Sequence, residues 1–327
     1  MDKELFKQKV NQIWAQKCSK YDYLPSTLPP VNRIIVIGDI HGDMSKLKHL
    51  LRISNVIDKS GKWIGKDTVI VQVGDQIDSC RPDYGQYCIN PETTLNDKAD
   101  DVNILYYMTQ LHKKAAVHGG AVYSLIGNHE LMNVDGDFTY VSYNNQFNDK
   151  RFMNREDRLK QFSPGNEIAN FLACTRKMAI VIGSNLFVHA GILPSIVNRY
   201  SVDDLNNILA LYLLDELERP GQYEEIFNSS QTSPLWNRVF GNIHKNANQC
   251  RQLMKPLKEV YKVGRIYVGH TPQLTDGIQS YCDNTVWLTD VGASNAFDKY
   301  ITMKSKYNKY NSQVLEIIND NQINIIS

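Results

Sequence analysis

The stretch Ile34-Ile35-Val36-Ile37-Gly38-Asp39-Ile40-His41-Gly42 decides how the rest of the chain is read. Four consecutive β-branched residues make an apolar run too short for a helix. Without polar alternation, such a run reads as a strand covered on both faces. It stops on a glycine, followed by a carboxylate and then an imidazole. The same arrangement recurs along the chain. Val69-Ile70-Val71-Gln72-Val73 runs into Gly74-Asp75, and Val122-Tyr123-Ser124-Leu125-Ile126 into Gly127-Asn128-His129. Leu186-Phe187-Val188 runs into His189-Ala190-Gly191, and Ile266-Tyr267-Val268 into Gly269-His270. Open α/β sheets gather ligands outside the carboxyl ends of their strands, so these ends can converge on one site.

Helices separate the strands. Ile104, Leu105, Met108, Leu111 and Ala115 keep the helical period until Gly119-Gly120, and Leu205, Ile208, Leu209, Tyr212 and Leu213 form a second stripe capped by Ser201. Val286-Trp287-Leu288 reads as a further strand, and Val314–Ile318 with Ile323–Ile326 as a hairpin. Residues 1–30 read as a helical extension, with a helix from about Lys3 to Cys18 and a Pro-rich lead-in. Residues 31–327 read as one domain. Tyr307 to Asn311 reads as a polar linker.

Composition narrows the possible partners. The 327 residues are 42% hydrophobic and 22% charged, and 36 Lys+Arg balance 35 Asp+Glu to a net charge of +1. That gives no bulk attraction to nucleic acid, and none is expected as a partner. No apolar run is long enough to span a bilayer, and Met1-Asp2-Lys3-Glu4-Leu5-Phe6 lacks the apolar segment of a secretory signal. A cytoplasmic protein away from membranes is therefore expected. Cys18, Cys80, Cys88, Cys174, Cys250 and Cys282 form no CxxC pair, so reduced thiols are the expectation. Cys80 and Cys88 bracket a loop that could bridge under oxidising conditions, though two reduced thiols are the simpler reading.

The strand ends offer Asp39 and His41, Asp75, Asn128 with His129, His189 and His270. Carboxylate, amide and imidazole together suit Mn, Fe or Zn better than Ca or Mg alone. A single carboxylate can bridge two ions about 3.5–4 Å apart, as in two-metal hydrolases. Asp75, central in the set, is the natural bridge. Asp39 and His41 then fall to one ion, and Asn128, His189 and His270 to the other. Taken singly, each residue is more often a cap, a turn former or a satisfied core histidine. Together they are not coincidental: Gly-Asp-x-His-Gly alone has a chance probability on the order of 0.002 in a chain this long.

Gly38-Asp39-Ile40-His41-Gly42, Gly74-Asp75-Gln76-Ile77-Asp78 and Gly127-Asn128-His129-Glu130 resemble the three signatures of the calcineurin-like metallophosphoesterases. His189-Ala190-Gly191 and Gly269-His270-Thr271 resemble the later histidine motifs in the same order. Glu130-Leu131-Met132-Asn133-Val134, Gly136-Asp137-Phe138 and Pro234-Leu235-Trp236-Asn237-Arg238 look most like the Shewanella-like phosphoprotein phosphatases. The resemblance covers about Ile34 to Ser294. It implies an α/β fold in which two mixed β-sheets pack as a central sandwich flanked by helices, with two divalent metal ions, Mn first among them, at one edge. It implies in-line attack on phosphorus by a dimetal-bridged hydroxide and a phosphorylated protein or peptide as substrate. His129 would act as general acid, Asp78 would hold its other ring nitrogen, and Glu130 would be structural support.

One departure bears on the substrate. Where the phosphoprotein phosphatases follow the equivalent of Asp78 with an arginine, this chain has Ser79-Cys80. Substrate binding would then fall to Arg238 and Asn128, with Arg81 reaching in from a flap running from Ser79 to Ala99. Hydrolysis of dinucleoside polyphosphates or another small phosphate ester is the alternative reaction. A silent phosphate-binding scaffold is the alternative class, disfavoured because every ligand position and His129 are present. Oligomeric state stays open.

Overall fold

The computed structural model describes residues 3–82, 86–94, 96–217, 222–228, 231–243, 247–297 and 310–327. Its strands are, in chain order, β1 (Thr27–Leu28), β2 (Arg33–Ile37), β3 (Val69–Gln72), β4 (Ala121–Leu125), β5 (Arg176–Lys177) and β6 (Ala179–Ile182). Then come β7 (Asn185–Val188), β8 (Arg265–Val268), β9 (Gln279–Tyr281), β10 (Val286–Leu288), β11 (Val314–Ile318) and β12 (Gln322–Ile326). Two six-stranded sheets result, ordered β1-β6-β7-β8-β10-β9 and β12-β11-β2-β3-β4-β5. Both mix parallel and antiparallel pairs, the architecture the resemblance implies.

Parallel pairing positions the site. β2, β3 and β4 run side by side in one direction, with Ile34 opposite Val69 and Val69 opposite Ala121. In the other sheet β7, β8 and β10 do the same, with Leu186 opposite Ile266 and Ile266 opposite Val286. The loops that leave these strands therefore emerge at one edge of each sheet. Side-chain alternation divides each strand between two layers. Phe187, Tyr267 and Trp287 turn into the cluster shared with Ile35, Ile37 and Val71. There Tyr267 stacks on Phe187 with centroids 4.9 Å apart and on Trp287 at 6.4 Å. Leu186, Val188, Ile266 and Leu288 turn the other way, against the helices Glu167–Thr175 and Val202–Leu213. Burial on both faces explains why these strands show no polar alternation.

The expected helical stripes are the helices Asp101–Ala116 and Val202–Leu213. Ser201 caps the second reciprocally: its Oγ accepts the N–H of Asp204 at 3.1 Å, and the Asp204 carboxylate accepts the N–H of Ser201 at 2.9 Å. The late strands form the expected hairpin, with Val314 opposite Ile326. Residues 307–309 of the expected linker lie outside the described residues.

The N-terminal segment contains the helix Lys3–Lys17, and it is sewn into the same body. β1 pairs in parallel with β6, and Lys17 Nζ donates to the carbonyl of Leu214 at 2.8 Å. Among the described residues no helix is long and apolar enough to cross a membrane.

The cysteines correct the expectation of reduced thiols. All six are paired, as Cys18–Cys174, Cys80–Cys88 and Cys250–Cys282, with Cα separations of 5.3, 6.0 and 5.3 Å. Those separations lie in the usual disulfide range. Two of the pairs join positions 156 and 32 residues apart, a proximity created by tertiary packing and invisible as spacing. Alkylation under native conditions should therefore label no cysteine, and six should label after reduction and unfolding. Quantitative labelling of the native protein, read by intact mass, would contradict this pairing.

Candidate active site

The site begins with backbone that the loops must bend to make. His41, Asp75, Asp78 and His270 all have positive φ (44°, 53°, 73° and 65°), a left-handed conformation rare outside glycine. Such backbone gathers where side chains must be aimed at a common point. Glycines supply the close approaches. A Cβ on Gly127 would lie 2.1 Å from Asp75 Oδ1, and one on Gly269 would lie 2.2 Å from Asp39 Oδ1. Glu130 ties the loops together: its buried carboxylate accepts the N–H groups of Asp75 (3.0 Å), Gln76 (2.6 Å) and Gly127 (2.7 Å). The second and third sequence motifs thus share one hydrogen-bonded clasp, in line with the supporting place expected for Glu130.

Each candidate metal-binding histidine is held by its other ring nitrogen. Nδ1 of His41 faces the carbonyl of Ile77 at 3.1 Å, Nδ1 of His189 that of Val73 at 2.9 Å, and Nε2 of His270 that of Trp236 at 3.0 Å. A carbonyl only accepts, so the anchored nitrogen carries the proton and the opposite nitrogen presents a lone pair. Nε2 of His41 lies 3.8 Å from Asp75 Oδ2 and 3.9 Å from Asp39 Oδ2. Nε2 of His189 lies 3.3 Å from Asp75 Oδ2 and 2.9 Å from Asn128 Oδ1. Two donor clusters result, His41–Asp75–His129 and Asp75–His189–His270, with Asp75 common to both.

Electrostatics favours the neutral ring at two of the three imidazoles, whereas at His189 burial is outweighed by the Asp75 carboxylate, which raises its pKa. Burial pulls the pKa of His41 well below its ordinary value, and burial with the neighbouring His189 does the same to His270, which favours the neutral ring in both. Burial raises Asp39 well above the carboxylate range, reinforced by the facing carboxylates of Asp290 and Asp75. Asp75 is also pushed up by burial, but the surrounding histidines outweigh that and hold it well below. Asp39 Oδ1 and Asp290 Oδ2 are buried with no hydrogen-bond partner beyond each other's carboxyl group. Converging lone pairs and carboxylate oxygens without another partner fit bound cations, since a buried anion needs a counter-charge. Asp290 escaped the sequence reading, although Leu288-Thr289-Asp290-Val291-Gly292 repeats the strand-then-Asp signal.

His129 is anchored differently. Its Nδ1 lies 2.7 Å from Asp78 Oδ2, a carboxylate in place of a carbonyl, which leaves Nε2 towards the cleft, 3.8 Å from Asp75 Oδ2. The cleft has a volume of about 310 Å³ and is walled by Arg81, Tyr140, Trp236, Arg238 and Phe297 together with His129. Arg81 reaches it from the segment that follows Asp78: Nη1 donates to the carbonyls of Asp78 (3.0 Å) and Cys80 (2.8 Å), and its guanidinium lies over Phe297 at 4.8 Å. Arg238 is exposed at the mouth, its Nη1 on the carbonyl of His270 at 2.8 Å. His41, Asp75, Arg81, Asn128, His129, Arg238 and His270 line this cleft, with Asp78, His189 and Asp39 hydrogen-bonded behind them to His129, Asn128 and His270. Tyr140 and Phe297, which line it, carried no motif that could have marked them.

A sandwich of two mixed sheets with a carboxylate–imidazole cluster at the strand ends defines a metallophosphoesterase. The profile of the calcineurin-like phosphoesterases matches residues 32–274, and the chain belongs to that family. It is 37% identical over 254 residues to an uncharacterised protein of Acanthamoeba polyphaga mimivirus, covering 68% of this chain and 98% of that one. It is 24% identical to Shewanella-like protein phosphatase 2 of Arabidopsis thaliana, over 94% of this chain and 81% of the relative. A cold-active protein-tyrosine phosphatase of a psychrophilic Shewanella shares the fold, with a TM-score of 0.64 at 20% identity over 94% of this chain and 83% of that one. The chain is thus a metal-dependent phosphoesterase similar to the Shewanella-like protein phosphatases.

Proposed function

We propose that this enzyme hydrolyses phosphate monoesters on proteins or peptides. Asp39, His41 and Asp75 would hold one divalent ion, and Asp75, Asn128, His189 and His270 the other, with Mn the first candidate and Fe or Zn the next. When bound, such a pair supplies Lewis acidity to phosphoryl oxygens and an acidified water as nucleophile. The chain's own residues do the rest. His129, fixed by Asp78, presents Nε2–H to the departing ester oxygen. Arg238, Arg81 and Asn128 orient the phosphoryl group. The observation that carries this reading is the separation of roles among the imidazoles: three anchored by carbonyls around Asp75, one anchored by a carboxylate and turned to the cleft.

An arginine exposed at the mouth of the cleft suits a phosphoryl group carried on a larger molecule. Assaying the Mn-supplemented protein side by side on phosphopeptides and diadenosine tetraphosphate tests this. Turnover of the dinucleotide alone would transfer the reading to the small-substrate alternative. The arginines can be separated in the same assay. A charge-assisted arginine–phosphate contact is worth about 1.5–3 kcal/mol, roughly ten- to more than a hundredfold in kcat/KM. Arg238→Ala should lose activity in that range with metal content unchanged. Arg81→Ala should show a comparable loss, because the guanidinium already sits on the cleft wall. Full activity in both variants would mean the phosphate lies elsewhere.

The cytoplasmic location expected from the sequence is weakened by the disulfides, which persist in oxidising compartments. An oxidising compartment fits the paired cysteines better.

A further inference from the structure

Behind the Asp78–His129 pair lies a chain of fully buried polar groups that the reaction as described does not use. Asp78 Oδ2 faces His129, while its Oδ1 accepts from Asn133 Nδ2 at 2.9 Å. The backbone N–H of Asp78 donates to Asp101 Oδ1 at 3.1 Å. Asn133 Oδ1 accepts from Arg158 Nη2 at 2.9 Å, and the same Nη2 lies 3.2 Å from Asp101 Oδ2. Arg158 Nη1 donates to the carbonyl of Asn145 at 3.1 Å, and Phe138, Phe152 and Phe162 surround its guanidinium. Asp78, Asp101, Asn133 and Arg158 are each 0% exposed.

The chemistry of the donors sets the direction of this chain. Arginine only donates and a carboxylate only accepts, so Asn133 between them can take one orientation, its oxygen to Arg158 and its nitrogen to Asp78. A carboxylate held by His129 alone could swing about its terminal torsion. Held at its second oxygen as well, and at its backbone by Asp101, Asp78 keeps one rotamer. Stability does not call for such an arrangement. Burying an arginine with two carboxylates costs several kcal/mol per ion before pairing, and an apolar filling of the same volume is often as stable. Arg158 Nε is itself left without a partner.

We propose that Asn133, with Arg158 and Asp101 behind it, is a positioning residue that locks Asp78 and through it sets the His129 ring for proton donation. This rests on the reading of His129 as general acid. Asn133 Nδ2 also donates to the carbonyl of His129 at 3.0 Å, so it holds the backbone of the acid as well as the carboxylate that orients its ring.

The test is a cycle of Asn133→Ala, His129→Asn and the double variant, on monoesters of graded leaving-group pKa. Asn133→Ala should keep both metals and the wild-type KM. Its kcat should fall about ten- to a hundredfold for alkyl esters and much less for aryl esters, part of the range general acids supply. In the His129→Asn background the same substitution should change kcat less than about twofold, because coupled residues are not additive. An equal loss across the ester series, or an undiminished loss in the His129→Asn background, would reduce Asn133 to a structural residue. His129→Asn without leaving-group dependence would instead overturn the acid reading itself. Asn133→Leu keeps the volume should the alanine variant fold poorly. A readout independent of turnover is the proton resonance of the His129 Nδ1–H. In the metal-free protein it should lie far downfield, vanish in His129→Asn and move upfield in Asn133→Leu. An unmoved resonance would overturn the proposal.

Discussion

Asp75→Asn should leave the protein folded but nearly without turnover, with metal occupancy falling at both positions. Asp75 Oδ2 faces Nε2 of His41 at 3.8 Å on one side and Nε2 of His189 at 3.3 Å on the other, and among the described residues it is the side chain common to the two donor clusters. An amide has the same shape but loses the negative charge and one lone-pair-bearing oxygen, the two properties a shared ligand needs. Its other oxygen also accepts the N–H of His129 at 3.0 Å, so the loop carrying the acid would loosen as well. Occupancy lost at both positions removes Lewis acidity and the activated water together, which should cost at least about three orders of magnitude in kcat. Elemental analysis of the purified variant decides the assignment: two full equivalents of metal would mean that Asp75 is not shared.

His129→Asn should show a different signature. With Nδ1 on Asp78 and Nε2 open to the cleft, His129 does not need to bind a metal, so both ions should stay. The loss should fall on kcat, about 10²–10⁴-fold for esters whose leaving oxygen needs a proton, and should shrink as leaving-group pKa drops. Uniform loss across a series of aryl and alkyl phosphates would show that the ring serves something other than proton donation. Its placement among the donor clusters makes this worth measuring. His129 lies within reach of Asp75 at 3.8 Å, as His41 does, and only the anchoring of the far nitrogen separates them. Loss of one metal equivalent would identify it as a ligand.

Much of this molecule is legible in order along the chain. Apolar runs ending on Gly-Asp, Gly-Asn-His or Gly-His specify buried parallel strands with functional side chains at their carboxyl ends, because strand burial and loop geometry are local consequences of residue type. Asp39, His41, Asp75, Asn128, His129, His189 and His270 could be named that way, and they meet in one cleft beside Arg81 and Arg238. Tertiary structure alone decided the rest. Whether six cysteines pair depends on Cα separations between residues up to 156 positions apart, and no spacing rule encodes those. That Arg158 is buried behind Asp78 depends on a helix 80 residues downstream folding back over it, and in sequence it is an ordinary charged residue in a polar helix. Asp290 meets Asp39 only because two sheets close on each other. Residue type and period determine what each strand end can do, whereas packing between sheets and helices determines which of those groups face one another.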